Sequence, residues 1–234
     1  MTKKIKIIKN GPYEVSPEIP LVQSVIVVDN DGTSMSWKTG KKYPDQTEPY
    51  YLCRCGRSDN KPYCDGAHEK PAGLMKKTFD GTEVATHESD EKNTRIYEGP
   101  ELTLIDEESL CASLRFCDRG PRIWDAVLHS DRDYLKQMAI EESCDCASGR
   151  LTVVDKEGNV YEPKSDQEIG LVQDTALQIK GPLWVKGGIP VEGADGKQYK
   201  IRNRMTLCRC GESKNMPFCD TSHRRSKNMY GLDK

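Results

Sequence analysis

The chain has 234 residues, of which 35% are hydrophobic and 31% are charged. Globular domains usually contain about 45–50% apolar residues, so this composition excludes one large apolar core and favours several small units stabilised by something besides burial. Lys and Arg total 35 against 37 Asp and Glu, a balance that argues against binding to the nucleic-acid backbone.

The sequence contains neither a membrane segment nor a secretory leader. Its apolar runs are far shorter than the roughly 20 residues of a membrane-spanning helix, and residues 1–15 lack the apolar stretch of a signal peptide. We therefore expect a soluble cytoplasmic protein. In a reducing compartment, clustered cysteines indicate metal or redox chemistry more often than disulfides, and this chain has ten.

β-Branched runs and turn residues predict strands near both ends of the chain, and apolar periodicity predicts one helix in the middle. A strand, turn, strand pattern follows the helix up to residue 162. The predicted strands are 4–9, 24–30, 175–180, 183–187 and 198–203, and the predicted helix is 131–143.

A segment of 17 residues occurs twice. The segment from Leu52 recurs from Leu207 with eleven identities and no insertion, and residues 10–21 are similar to residues 180–191. Between the shared Gly and the first Cys of the motif, the first copy is 15 residues longer than the second. We interpret the chain as two homologous units that flank a central segment.

Each repeat supplies three cysteines and one histidine in the pattern C-x-C-x8-C-x3-H. The first quartet is Cys53, Cys55, Cys64 and His68, and the second quartet is Cys208, Cys210, Cys219 and His223. If Asp65 caps a short helix, Cys64 and His68 lie one turn apart on one face.

Two kinds of metal site fit this donor set. Tetrahedral zinc accepts three cysteines and one histidine, although its cysteine pairs usually have the spacing C-x2–4-C. A C-x-C pair brings two sulfurs close together, which suits one iron of a two-iron cluster. The spacing favours iron–sulfur and leaves structural zinc open, whereas a disulfide within C-x-C would be strained.

The full pattern C-x-C-G-x-S-x-N-x-P-[YF]-C-D-x-x-H resembles the CDGSH iron–sulfur domain of the NEET proteins. The resemblance implies one [2Fe–2S] cluster in each unit, held by three cysteines and one histidine. NEET proteins with one such segment work as homodimers, so it also implies that the two copies pair as an intramolecular pseudo-dimer. Replacing one thiolate by imidazole leaves less negative charge, which places the potential above the roughly −400 mV of plant-type ferredoxins.

Three residues within the repeats carry further expectations. Thr221 stands where the family usually has Gly, and it would strain the turn if that position needs a positive φ. Arg54 and Arg209 lie between paired cysteines. They either donate hydrogen bonds towards the sulfurs, which would raise the potential, or are solvated loop charges.

The central segment contains Cys111, Cys117, Cys144 and Cys146. The segment 101–154 resembles a divergent single-cluster ferredoxin family, through its C-x5-C element and the run Cys-Ala-Ser-Gly-Arg-Leu. Four thiolates would hold a [4Fe–4S] cluster, and three would hold a [3Fe–4S] cluster or leave a labile fourth position. A zinc site, buried free cysteines and a disulfide stay open as alternatives.

We therefore predict an α+β protein with a small ferredoxin-like unit between two small β-rich CDGSH units. The predicted units are 1–80, 81–168 and 169–234. The preferred function is one-electron transfer through two [2Fe–2S] clusters and a third, cysteine-ligated cluster. The alternatives are a cluster carrier or redox and pH sensor, and a zinc-stabilised interaction module.

We expect no enzyme activity, since the chain lacks the common catalytic and nucleotide-binding motifs. The expected partner is a redox protein or an apo-protein that accepts a cluster. We expect no binding to nucleic acid or membrane, and a monomer with internal pseudo-symmetry.

Overall fold

The computed structural model describes residues 3–71 and 78–233. Within these ranges the chain forms three β-sheets and two α-helices, which confirms the α+β class. The strands are β1 (Ile5–Ile7), β2 (Tyr13–Val15), β3 (Leu21–Val28), β4 (Ser34–Lys42), β5 (Tyr50–Leu52), β6 (Thr94–Glu98), β7 (Leu102–Glu107), β8 (Leu151–Asp155), β9 (Val160–Tyr161), β10 (Glu168–Asp174), β11 (Ile179–Lys186), β12 (Val191–Glu192) and β13 (Arg204–Leu207). The helices are α1 (Ile123–Leu128) and α2 (Asp133–Asp145).

The middle of the chain forms a unit of its own, in which both helices pack against the antiparallel sheet β6-β7-β8-β9. Leu104, Val127, Leu135 and Val153 are at most 4% exposed in its core. The predicted helix and the strand, turn, strand pattern after it are both confirmed. No helix in the described part of the chain is long and apolar enough to span a membrane.

The two terminal segments share their sheets. One sheet has the order β12-β1-β2-β5, and the other has the order β13-β11-β10-β3-β4. Each sheet therefore contains strands from both repeats. Residues 1–80 and 169–234 do not each build a sheet from their own strands.

The exchange of strands is reciprocal. Ile5 of β1 lies opposite Val15 of the same repeat and Val191 of the other. Ile169 of β10 lies opposite Val185 of its own repeat and Leu21 of the first. Val15 and Leu21 are the positions that correspond to Val185 and Val191 in the repeat. Each repeat thus supplies one parallel strand to the sheet of the other, as in a domain swap.

One apolar core connects the two shared sheets. Ile5, Val15, Leu52, Leu171 and Val185 belong to it, and each is at most 1% exposed. Burying a large apolar side chain stabilises a fold by about 1.5–3 kcal/mol. The repeats are therefore joined by a common core as well as by exchanged strands.

The extra residues of the first copy lengthen its hairpin. They extend the hairpin of β3 and β4, whereas the second copy has a short hairpin after β12. Trp37 on β4 stacks on Phe116 and contacts Trp184, with both ring centroids 4.6 Å away. Ser34 Oγ donates a hydrogen bond to the carbonyl oxygen of Leu114 at 2.8 Å. The longer hairpin therefore contacts the middle unit.

The strand predicted at 198–203 is wrong. Gln198 forms only an isolated bridge with Glu192, and β13 begins at Arg204. Tyr199 stacks on His87, with 4.2 Å between ring centroids, and its hydroxyl donates to Glu83 at 2.6 Å. These side-chain contacts fix the position of the segment, which has no ladder of strand hydrogen bonds.

Candidate metal centres

Each quartet begins where a strand ends. In the first repeat, the backbone N–H of Cys53 donates to the carbonyl oxygen of Pro62 at 2.8 Å, and that of Cys64 donates to Tyr51 at 2.8 Å. The second repeat makes the same two hydrogen bonds, at 2.8 and 3.0 Å. The backbone therefore holds the first and third cysteines of each motif beside one another at the end of β5 or β13.

The donor atoms of each quartet lie in two close pairs. In the first quartet, the sulfurs of Cys53 and Cys55 are 3.8 Å apart, and Cys64 Sγ is 3.4 Å from His68 Nδ1. The corresponding distances in the second quartet are 3.5 and 3.2 Å. Two ligands about 2.0–2.3 Å from a tetrahedral metal are separated by about 3.3–3.8 Å. Each pair therefore has the spacing of two ligands on one metal.

The pairs do not merge into larger groups. Within residues 3–71 and 78–233, no three His, Cys, Asp or Glu side chains are arranged to hold one metal ion. Each quartet is therefore a Cys–Cys pair and a separate Cys–His pair.

A short helix forms between the third cysteine and the residues around the histidine, as predicted, but it is a 3-10 helix. Asp65 Oδ1 accepts the N–H of Ala67 at 3.0 Å, and a 3-10 helix spans Ala67–Glu69. The residue before each such helix is left-handed, with φ 81° at Gly66 and 77° at Thr221. The position does need a positive φ, so Thr221 carries the predicted strain.

The paired thiols differ in acidity. The hydrogen bond between the two sulfurs lowers the pKa of Cys53. The same hydrogen bond and burial raise the pKa of Cys55. In the second quartet, the hydrogen bond from Cys210 lowers the pKa of Cys208 to about 7. One sulfur of each pair is thus close to being a thiolate, the form that binds metal.

Backbone N–H groups point at the sulfurs. The N–H of Arg57 donates to Cys55 Sγ at 3.4 Å, and that of Gly66 donates to Cys64 Sγ at 3.5 Å. Such donors stabilise negative charge on thiolate ligands and raise a cluster's potential.

Both predicted roles of Arg54 and Arg209 are wrong. These side chains are 1% and 5% exposed and bind backbone carbonyl oxygens. Arg54 Nε donates to Gly11 at 2.9 Å, and Arg209 Nε donates to Gly181, the corresponding residue, at 2.7 Å. A buried guanidinium needs several acceptors, and the backbone carbonyls supply them here.

The two quartets contact each other through their Cys-x-Cys-Gly loops. A Cβ atom on Gly56 would lie 2.5 Å from the carbonyl oxygen of Cys210, and one on Gly211 would lie 2.5 Å from that of Cys55. The Tyr13 hydroxyl donates to the carbonyl oxygen of Cys208 at 2.7 Å and so connects the first repeat to the second quartet. The contact is reciprocal, as in a two-fold interface.

The environments of the two histidines differ. The His68 side chain is 15% exposed, whereas His223 is 2% exposed. Burial lowers the pKa of His223 to about 4, so this imidazole is neutral near pH 7. Its Nδ1 faces Cys219, and its buried Nε2 has no hydrogen-bond partner among the described atoms. A neutral imidazole with Nδ1 beside a cysteine is in the form that binds metal.

The structure brings three of the four central cysteines together. Cys111, Cys117 and Cys146 line one cavity of about 220 Å³, about seven times the roughly 30 Å³ of a water molecule in the liquid. Burial is the main cause that raises the pKa of Cys117 to about 12, and the nearby Cys146 is the second cause. The Arg150 guanidinium also lines the cavity and pairs with Asp106 at 2.5 Å.

Cys144 lies elsewhere. Its sulfur is 3.9 Å from the carbonyl oxygen of Tyr161, and it does not line the cavity. Cys144 and Cys146 stand at the C-terminal end of α2, where the chain leaves the helix, and only Cys146 lines the cavity. The cavity therefore presents three thiols.

Sequence reasoning missed the residues that connect the two repeats. Gly56 and Gly211 are identical in the repeat, but the sequence predicted no role for them, because the residue that each contacts lies in the other copy. Tyr13 gave no signal, because its counterpart in the second copy is Leu183.

The family model described as the iron-binding zinc finger of the CDGSH type matches residues 10–69 and 180–224. All eight quartet residues lie inside these two matches. Neither a curated protein nor a solved structure matches the chain. Domains of this family bind [2Fe–2S] clusters. Residues 10–69 and 180–224 are therefore similar to the iron-binding domains of the CDGSH type.

Proposed function

We propose that this chain is a non-enzymatic iron–sulfur protein that takes up and releases single electrons. The observation that carries the proposal is the pairing of donors, with Cys–Cys and Cys–His pairs at 3.8 and 3.4 Å in one quartet and at 3.5 and 3.2 Å in the other. Two pairs provide two ligands for each iron of a two-iron cluster. When bound, such a cluster supplies reversible one-electron chemistry.

The chain's own residues suit that group. One thiol in each Cys-x-Cys pair has a lowered pKa, and the neutral His223 offers Nδ1 beside Cys219. Backbone N–H groups already point at Cys55 and Cys64. These features support one [2Fe–2S] cluster on each quartet.

The proposed arrangement of the two CDGSH domains is an intramolecular pseudo-dimer in a monomeric protein. The reciprocal contacts of Gly56 and Gly211 support it, and so does the mutual exchange of β3 and β12. A two-fold relation makes residue i contact j while j contacts i, which is the pattern at both places.

A third cluster belongs to the proposal. The thiols of Cys111, Cys117 and Cys146 share a cavity larger than one metal ion needs. We assign these three as ligands of a [3Fe–4S] cluster or of a [4Fe–4S] cluster with a labile fourth position, in a ferredoxin-like unit. The position of Cys144 favours three cysteine ligands over the predicted four.

Chemical analysis of the purified protein tests the proposal. We expect iron, acid-labile sulfide and a visible absorption band that bleaches with dithionite, together with EPR signals of two cluster types. A colourless protein that contains zinc would contradict the proposal and support a zinc-stabilised interaction module.

Exchanging the histidine ligand tests the donor set. We expect His68→Cys and His223→Cys each to lower one midpoint potential towards the roughly −400 mV of four-thiolate ferredoxins, because a fourth thiolate adds negative charge. A redox titration followed by visible absorption measures the change. Unchanged potentials in both variants would contradict histidine ligation.

A second candidate function is the transfer of clusters to an apo-protein. The exposure of the His68 side chain favours it, since an acceptor can approach a ligand at the surface. Transfer is tested by mixing the loaded protein with an apo-ferredoxin. If the protein transfers clusters, the acceptor should gain its cluster faster than it does from free iron and sulfide at equal concentration. An equal rate would contradict cluster transfer and leave electron transfer as the proposed function.

A further inference from the structure

In the described part of the chain, the segment between β7 and α1 of the middle unit binds to the second quartet's motif. Asn215 Nδ2 donates to the carbonyl oxygen of Ser109, and Arg224 Nη1 donates to Ser113 Oγ, both at 2.8 Å. Asn215 and Arg224 belong to the second CDGSH motif. Ser113 lines the cavity next to Cys111. The wall of the cavity is therefore fastened to the second quartet.

Apolar packing continues this contact. Ala112, Leu114 and Phe116 line the cavity and also belong to one buried cluster with Trp184 and Cys219. The same short wall thus faces the cavity on one side and a ligand of the second quartet on the other.

The second quartet contacts the first quartet on its other side. The Cys-x-Cys pairs of both quartets share one buried cluster with Phe79, Met216 and Met229, and Gly56 touches the backbone of Cys210. The quartets differ at the surface, since His223 is 2% exposed and the His68 side chain 15%.

We propose that the three sites form a fixed series, in which the second quartet lies between the cavity thiols and the first quartet, and the first quartet faces the partner. The proposal rests on the proposed function. An electron supplied by a one-electron reductant such as dithionite would pass along the series and leave from the first quartet to the partner. Each transfer oxidises one site and reduces its neighbour by one electron, and no bond forms or breaks.

Loss of iron to a chelator tests the position of the second quartet. We expect the two quartets to bleach in separate phases, the slower of which belongs to the second quartet, and Cys117→Ser to identify the phase of the cavity site. Cys64→Ser and Cys219→Ser, which each remove one ligand of one quartet, assign the phases. Combined Asn215→Ala and Arg224→Ala should accelerate the slow phase of the second quartet several-fold, because they remove the two hydrogen bonds between that motif and the cavity wall.

The repeat provides a matched control. Asn60 occupies the position in the first motif that corresponds to Asn215, so Asn60→Ala should leave the slow phase unchanged. Equal rates for both quartets, or equal acceleration by Asn60→Ala, would overturn the proposed order.

EPR of the reduced wild-type protein gives a second measurement that does not depend on these variants. Because the two quartets would broaden each other's signals, we expect coupling to the cavity site to add broadening to the signal of the second quartet alone, and Cys117→Ser to remove this addition. Equal broadening of both quartets, or none, would overturn the order. A preparation without iron and sulfide contradicts the proposed function itself, whereas three filled sites without this pattern contradict only their order.

Discussion

At the scale of single residues, the two quartets differ in the residue type before the 3-10 helix. Gly66 and Thr221 have nearly the same positive φ, but only glycine adopts it without steric cost. A threonine with this φ destabilises the folded state by roughly 1–2 kcal/mol. A glycine avoids that strain, but its greater freedom in the unfolded chain lowers the free energy of unfolding by about 0.4–1 kcal/mol. The second motif therefore carries a small strain that the first lacks.

Thr221→Gly should relieve that strain. We expect the free energy of unfolding to rise by up to about 1 kcal/mol, as measured by denaturant unfolding at constant iron content. Gly66→Thr is the matched reverse change and should destabilise the protein. A stabilising Gly66→Thr would contradict the strain.

A buried carboxylate near the end of the chain predicts a pH dependence. Burial raises the pKa of Asp233, but Arg209 and Gln173 outweigh it and hold the pKa below its ordinary value. The Asp233 carboxylate accepts hydrogen bonds from Arg209 Nη1 at 2.9 Å and Gln173 Nε2 at 2.7 Å. Since its folded-state pKa is lowered, the stabilisation is present above the unfolded pKa of about 3.9 and is lost as pH falls through the folded pKa.

Asp233→Asn should therefore lower stability by about 2 kcal/mol near pH 7. The difference from wild type should stay constant between about pH 7 and 5 and shrink below about pH 4. Denaturant unfolding at several pH values measures it. A difference that grows towards acid pH would contradict the ion pair.

At the scale of elements, the long hairpin of β3 and β4 gives the molecule its asymmetry. It is longer than its counterpart in the second repeat, and Trp37 on β4 contacts both the middle unit and β11 through Phe116 and Trp184. Trp37 Nε1 also donates to the carbonyl oxygen of Asp145 at 3.1 Å. The additional residues of the first copy thus bind the middle unit to the shared sheets.

Trp37→Ala should loosen that attachment. We expect a loss of about 2–3 kcal/mol, less than for a fully buried Trp because Trp37 is only partly buried, and separate unfolding of the middle unit in calorimetry. Met35→Ala, at a 44% exposed position of the same strand, is the control and should change stability by less than about 0.5 kcal/mol. Equal effects of the two changes would argue against docking through β4.

Sequence reasoning worked best for elements that depend on local pattern. The helix now assigned as Asp133–Asp145 and the paired donors of the two motifs were predictable, because periodicity and ligand spacing are local. The exchange of β3 and β12 was not, since β1 pairs with residues nearly the whole chain away. The burial of Arg54 was also missed, because its acceptors are backbone carbonyls that any residue type supplies.

At the scale of the whole molecule, the two repeats contact each other by a reciprocal pair of glycine contacts. Gly56 and Gly211 have similar φ values of 72° and 79° and face each other's loops at the same distance. The arrangement requires both positions to lack a side chain.

Gly56→Ala and Gly211→Ala should therefore destabilise the protein by similar amounts, about 2–4 kcal/mol, because each adds backbone overlap to an unfavourable φ. Gly66→Ala is the control, since its φ is 81° but a Cβ there would have no neighbour within 4 Å. It should cost only about 1–2 kcal/mol. Thermal unfolding of the three variants gives the comparison, and an equal effect at all three positions would show that the loops do not press together.

The exchange of strands between the two repeats also limits how far the chain can fold during its synthesis. A ribosome releases the N-terminal half first, yet β3 finds its parallel neighbour only at Glu168–Asp174 and β1 only at Val191–Glu192. Until then the nascent chain exposes unpaired strand edges, which are prone to aggregate, and pairing across such sequence separations is slow. The sheet that carries the first motif is therefore complete only after residue 192 has been synthesised, and a product interrupted before that point would be a substrate for chaperones or proteases.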